Sequence, residues 1–461
     1  MKLSAHGTPI RALLVLSIAL FGFASAAHAA IPQSERDALI SFYTTAAGNF
    51  WTHNDGWCMG SCPVFGTTTF NIPGSECGWY GITCDGSQTH VTNIYLYNNS
   101  MFGSFPALDA FSGLQSVQVG NNRLTGSLPN LSGLGLLFSF SADVNHLTGS
   151  IPALTGMAKL QTFTVGSNRF TGGIPDLSGT DLSVVSLSHN ELTGPIPDLS
   201  VVSKIQIFDV SENRLTSSIP NLQQLPSLLA FYAYKNELTG NIPELAGLTS
   251  LISFAVSDNK LTGNIPSLAG LTNLFDFEVD SNELSGTIPD LSGLSKLSGF
   301  YASSNRLTGP IPSIQQLTNL QVFLVDGNQL TGEIPALAGL INLQDFRVSD
   351  NLLSGVIPAV AGLANLQVLY LGGNQLTGAF PDVSGLSGLK FFTIDRNLLT
   401  GPLPPAPGNL IAGYSVICPN PLDTVAGVND AGWNAATGIT PWWATPKTNN
   451  LCDDIFTNAF E

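Results

Sequence analysis

One asparagine returns at a near-constant stride along most of this 461-residue chain: Asn99, Asn122, Asn145, Asn168, Asn190, Asn213, Asn236, Asn259, Asn282, Asn305, Asn328, Asn351, Asn374 and Asn397. Twelve of the thirteen intervals are 23 residues and one is 22. Self-similarity at such a period is the signature of a solenoid, in which each turn buries its apolar face only against its neighbours. The consensus around each copy is L-x-x-F-x-V-x-x-N-x-L-T-G-x-I-P, seen cleanly in Leu251–Pro266. The F-x-V segment alternates and predicts a short strand with one buried face, Phe163 and Val165 inward and Thr162 and Thr164 outward. Stacked at about 4.8 Å, such strands build a parallel sheet. The recurring Asn is expected at the end of each strand, buried. There its amide both donates to and accepts from backbone groups of its own and the adjacent turn, groups whose isolation costs about 1–3 kcal/mol each. The Gly of L-T-G permits a turn without a Cβ clash, and the Pro fixes φ where no amide donor is needed.

The inward position before the Val is Phe in ten copies: Phe140, Phe163, Phe208, Phe231, Phe254, Phe277, Phe300, Phe323, Phe346 and Phe392. At period 23 on the inward face this column is a stacked core and not a binding surface. Two irregularities break the frame. Gly179-Thr180-Asp181-Leu182 lacks the Leu found at Leu248 and produces the 22-residue interval, and Ser217 stands where the turn Gly belongs. Both are read as tolerated drift; the alternative is that they bend the solenoid locally and mark a binding edge.

The L-T-G-x-I-P run after each Asn resembles the plant-type extracellular leucine-rich-repeat family over residues 91–404. The upstream Ser34–Leu39 and Cys77–Asp85 segments resemble that family's N-terminal cap. The repeat is one residue shorter than the plant type usually runs. The resemblance implies an α/β solenoid, mostly β, curved into a superhelix with a parallel concave sheet, a second short sheet near L-T-G-x-I-P, and capped ends. The tail Cys452–Glu461 is similar to endings of exported Gram-negative bacterial proteins, so a secreted bacterial member is expected.

Residues 1–29 read as a secretory signal peptide, with Lys2 and Arg11 before an apolar run and Ala27-His28-Ala29 at the cleavage site. Its removal takes the formal charge from −16 to −18, and no later stretch is apolar enough to predict a membrane span. So acidic a surface disfavours nucleic acid and anionic membranes and accommodates cationic partners. Six cysteines in an exported chain suggest disulfides. Cys418–Cys452 is expected at the end of the chain. Of three connectivities open to Cys58, Cys62, Cys77 and Cys84, Cys58–Cys62 with Cys77–Cys84 is preferred. A zinc site competes weakly, because there is no C-x-x-C pair. Residues 30–90 form the expected first cap, with Ser34 as N-cap of a helix burying Leu39, Phe42 and Tyr43. Residues 405–461 form the second, where Trp433, Trp442 and Trp443 cover the last coil or, alternatively, offer a carbohydrate platform.

No catalytic constellation emerges. His53, His90, His146 and His189 are scattered without metal-ligand spacing, and the glycines follow the repeat. Neither enzymatic activity, cofactor nor resident metal is expected, although Ca²⁺ on the carboxylates below is an alternative. Function is expected in the outward strand residues: Asp209, Tyr232, Tyr234, Asp276, Glu278, Asp280, Tyr301, Asp326, Asp345, Arg347 and Tyr370, with Glu212 nearby. Tyrosines among carboxylates suit a protein or peptide ligand, with a glycan as the alternative. The alternatives are an inhibitor of a secreted cell-wall-degrading hydrolase and a cell-surface structural or adhesive protein.

Overall fold

The computed structural model describes residues 30–422 and 428–442. Among them the main sheet has fifteen strands. Ile82–Cys84 pairs antiparallel with Val91–Tyr95, and every later strand, from Ser116–Gln118 to Phe391–Thr393, adds in parallel. Successive strands align at the repeat stride, as in Phe254↔Phe277 and Phe277↔Phe300. The chain is thus a parallel β-solenoid with few helices. The opposite face carries the second sheet expected from L-T-G-x-I-P, in segments of six, two and five strands. Its first break falls at Ser217, which takes the turn Gly's place with φ +69°. The 22-residue interval leaves the main sheet in register, with Val185 opposite Phe163. At the missing Leu, the Thr180 hydroxyl donates to Leu177 O at 2.7 Å.

The core consists of columns. From Phe208 to Phe346 adjacent rings stack with centroids 5.5–5.7 Å apart, and all ten phenylalanines are buried. The asparagines form the expected ladder. Asn282 Nδ2 donates to Val279 O and Asp280 O in its own turn and to Val256 O of the preceding coil. Its Oδ1 accepts Leu261 N–H, also from the preceding coil, at 2.9 Å. The residue before each ladder Asn is left-handed whatever its type, from Val144 at φ +54° to Arg396 at +50°. A β-branched residue is strained there.

The ladder runs one coil beyond the expected boundary at 404. Asn420 Nδ2 donates to Ile394 O and Ile417 O, and its Oδ1 accepts Leu399 N–H. The sequence reading missed this coil because L-T-G-x-I-P does not follow it. At the first coil, Asn99 exchanges hydrogen bonds with the His53 backbone.

The N-terminal block packs on the first coil, with Thr52 N donating to Asn99 O and Phe102 N to Ala46 O. Its helix α1, Gln33–Thr45, buries Leu39, Phe42 and Tyr43, but the N-cap is Pro32 and not Ser34. Pro32 O already accepts Glu35 N and Arg36 N, which places Ser34 inside the first turn. Among the described residues the disulfides are Cys58–Cys62 and Cys77–Cys84. Two buried acids are anchored by partners distant in sequence. Glu76 pairs with Arg36, whose guanidinium lies over Trp79, and Glu35 accepts Val91 N at 2.7 Å. At the far end helix α2, Asp430–Thr437, buries Trp433 against Phe380 and Phe392. Trp433 Nε1 donates to Pro404 O, and Trp442 is buried too. Neither ring is available as a carbohydrate platform. Cys418 is buried. Its expected partner Cys452, Trp443, the leader 1–29 and the tail 452–461 lie outside the described residues.

Candidate ligand-binding surface

The pairing register sorts the outward residues of the main sheet into columns about 4.8 Å per step. Asp209, Tyr232, Ala255, Glu278, Tyr301, Leu324, Arg347 and Tyr370 follow one another in a single column. Asp276 and Asp345 lie in the column beside it, two residues earlier on their strands. Tyr234, Asp280 and Asp326 lie two residues later along theirs. All eleven candidates therefore share one face, but they divide into groups.

The acidic group is Asp276, Glu278 and Asp280 on one strand, with Tyr301 on the next. Burial pushes all three carboxyls above their usual range, and for Glu278 the neighbouring Asp276 and Asp280 charges push further. Asp280 accepts the Ser257 hydroxyl at 2.6 Å. Among the described residues neither Asp276 nor Glu278 has a cationic partner. Tyr301 is pushed up to about 12 by burial and by the charges of Asp276, Glu278, Asp345 and Asp280. Its ring lies over Gly299: a Cβ there would meet the ring at 2.4 Å and Asp276 Oδ1 at 2.5 Å. Gly299 is thus the slot that lets the tyrosine lie down beside the acids, a role the strand pattern did not reveal.

The second group is already internally matched. Arg347 grips Asp345 through both carboxylate oxygens at 2.9 and 2.8 Å, and its guanidinium lies 5.0 Å from the Tyr370 ring centre. Asp326, raised by burial, accepts the Ser303 hydroxyl. Asp209 is also engaged, accepting the Ser211 hydroxyl at 2.6 Å, and Glu212 pairs with His189 and Lys235. Tyr232 and Tyr234 are half-buried, two coils before Glu278.

Sequence reasoning passed over the rim beside this face. Two residues before each inward Phe is a position that reads Gln206, Leu229, Ile252, Phe275, Ser298, Gln321, Gln344, Gln367 and Lys390 in successive coils. Two pairs of its polar members bond to one another, Gln344 to Gln321 and Lys390 to Gln367. In three consecutive coils it is apolar, and Ile252 and Phe275 are 44% and 45% exposed. Reading that column at the 23-residue stride would have exposed the change.

Among the described residues no group of three or more His, Cys, Asp or Glu side chains could hold a metal ion. No helix there is long and apolar enough to cross a membrane.

A family model, Leucine Rich Repeat, matches residues 365–385. No curated protein matches the chain by sequence. Among solved structures it is similar to a TDR receptor, at 26% identity and TM-score 0.62 over 74% of this chain and 66% of that one. The PEPR1–AtPEP1 structure is similar at 26% identity and TM-score 0.66, over 85% and 59%. The Arabidopsis receptor kinase HAESA ectodomain, in complex with an extended IDA peptide hormone ligand, is similar at 26% identity and TM-score 0.55, over 84% and 73%. This chain spans about two thirds or less of the first two. It carries a leucine-rich repeat within a solenoid whose fold is that of leucine-rich-repeat receptor ectodomains.

Proposed function

We propose that the protein is an exported, non-catalytic recognition module that holds a protein or peptide on the open face of the main sheet, between the sixth and thirteenth coils. The observation that carries this reading is the placement of Asp276 and Glu278. They are raised above their usual range by burial, next to one another, with no cationic partner among the described residues. Like charges on neighbouring positions oppose folding, so a structural role does not account for them. The peptide hormone ligand in the HAESA ectodomain structure gives a precedent on the same fold. Two disulfides and the apolar leader fit an extracellular setting. The end blocks then serve as caps on the solenoid's apolar cross-sections. The test is capture of peptides from a random displayed library by the secreted protein. Tyr232→Ala with Tyr301→Ala is expected to reduce capture and leave the melting temperature unchanged. Equal capture by parent and variant would remove this face from the function.

A further inference from the structure

Three features that the repeat does not require meet at coils seven to ten. The rim turns from polar to apolar at Leu229, Ile252 and Phe275, three residues joined coil to coil by Ile252 N–H to Leu229 O and Phe275 N–H to Ile252 O. Phe275 adjoins Asp276, the first of three carboxylates on one strand. Tyr301 lies over Gly299 and walls the acids on the far side. Basic side chains on the surrounding coils have other partners: Lys235 pairs with Glu212, Lys260 with Glu237 and Arg347 with Asp345, and Lys296 donates to Asn273. The apolar strip therefore runs along the solenoid axis, and the acids run across that direction, along the one strand that begins beside Phe275. The apolar strip advances about 10 Å over its two steps, and Asp276 to Asp280 spans about 13 Å across it.

We infer that this surface docks an amphipathic cationic polypeptide segment, its apolar side chains on Leu229, Ile252 and Phe275 and its Lys or Arg side chains over Asp276, Glu278 and Asp280. The inference rests on the reading that this face binds polypeptide, and it adds the chemistry of the ligand. The choice follows from charge complementarity combined with the apolar rim. A purely apolar ligand leaves three half-buried carboxylates uncompensated, and a simple polycation leaves Ile252 and Phe275 in water. An acidic segment is repelled.

The probe is a short fluorescein-labelled peptide of Leu and Lys arranged with one apolar and one basic side. Its partners are the same peptide with Glu for Lys, the same with Ser for Leu, and spermine. Fluorescence anisotropy with the full mature chain is expected to show saturable binding of the Leu/Lys peptide that weakens with added salt. The Leu/Glu form, the Ser/Lys form and spermine are expected to bind at least about tenfold more weakly. D276N/E278Q/D280N and, separately, I252S/F275S are each expected to weaken the Leu/Lys peptide about tenfold or more. Leu352→Ser, on an exposed second-sheet strand, is expected to leave binding unchanged. Urea midpoints no lower than the parent's establish that the variants are folded. Equal binding of the Leu/Glu peptide, or unchanged binding by the carboxamide variant, overturns the ionic half. Equal binding of spermine or the Ser/Lys peptide, or unchanged binding by I252S/F275S, overturns the apolar half. If library peptides without basic residues protect this face from hydrogen exchange and the Leu/Lys peptide does not, the ligand chemistry is wrong and peptide recognition stands. If no peptide protects it, both fail.

Discussion

Replacing Asn282 tests the polar ladder at a position with regular coils on both sides. In Asn282→Leu the side chain keeps a similar shape and loses one acceptor and three donor contacts. The acceptor matters most, because Leu261 N–H has Asn282 Oδ1 as its partner and becomes an isolated buried donor, at about 1–3 kcal/mol. The three carbonyls are each left with another donor. Val256 O retains Asn259 Nδ2, Val279 O retains Asn305 Nδ2, and Asp280 O retains the Asp258 amide. Their loss adds roughly 1–2 kcal/mol together. The expected total of about 2–5 kcal/mol is a large part of a typical protein's net stability and will be read as a fall in the urea midpoint. Asn282→Asp separates the two roles. It keeps an acceptor for Leu261 N–H but points a carboxylate at three carbonyl oxygens, which raises its folded pKa. The penalty is full above that raised value and is relieved as the pH falls through it and the carboxyl regains a donor. Asn282→Asp is therefore expected to be less stable than the parent at neutral pH and to recover on acidification. An unchanged midpoint for both variants, or an Asp variant indifferent to pH, would refute the ladder.

Other outcomes are expected from the same structure. Val144 at φ +54° and Ser217 at +69° sit in left-handed turns. Val144→Gly and Ser217→Gly should each stabilise the protein by roughly 0.5–1 kcal/mol, measured by urea titration; a loss of stability in both would show that the turns are unstrained. Burial holds Asp276, Glu278 and Asp280 above the usual carboxylate range, so their charges oppose folding above those raised values. D276N/E278Q/D280N should raise the melting temperature at neutral pH, and the gain should shrink as acid protonates the parent. A pH-independent difference would contradict this. Gly299→Ala should expel the Tyr301 ring from its slot and bring its ionisation, about 12 in the parent, back toward an ordinary phenol in an ultraviolet titration. An unmoved titration would mean that the ring does not depend on Gly299.

How much of this was legible beforehand follows from the stride. A residue 23 positions away is the same residue one coil on, so the phenylalanine stack, the asparagine ladder and the shared face of Asp209 through Tyr370 were readable from spacing alone. So was the preference for Cys58–Cys62 and Cys77–Cys84. What was not readable is local and depends on neighbours. The helix begins after Pro32 because its carbonyl, and not the Ser34 hydroxyl, meets the first amides. The ladder continues to Asn420 without the L-T-G-x-I-P sequence, because the hydrogen bonds need only the amide and a coil to receive it. Residues as different as Val144 and Arg396 are left-handed alike, since the turn they precede is held by the Asn and not by their own preference.

The linear chain, through its period, determined which side chains stack, since translation by one coil maps each onto its counterpart. Only the tertiary structure decided which outward groups lose water, which find a partner and which remain uncompensated. Those depend on distances across columns, such as Tyr301 lying on Gly299 beside Asp276, and on side chains leaving the strand at its rim, where no alternation dictates direction.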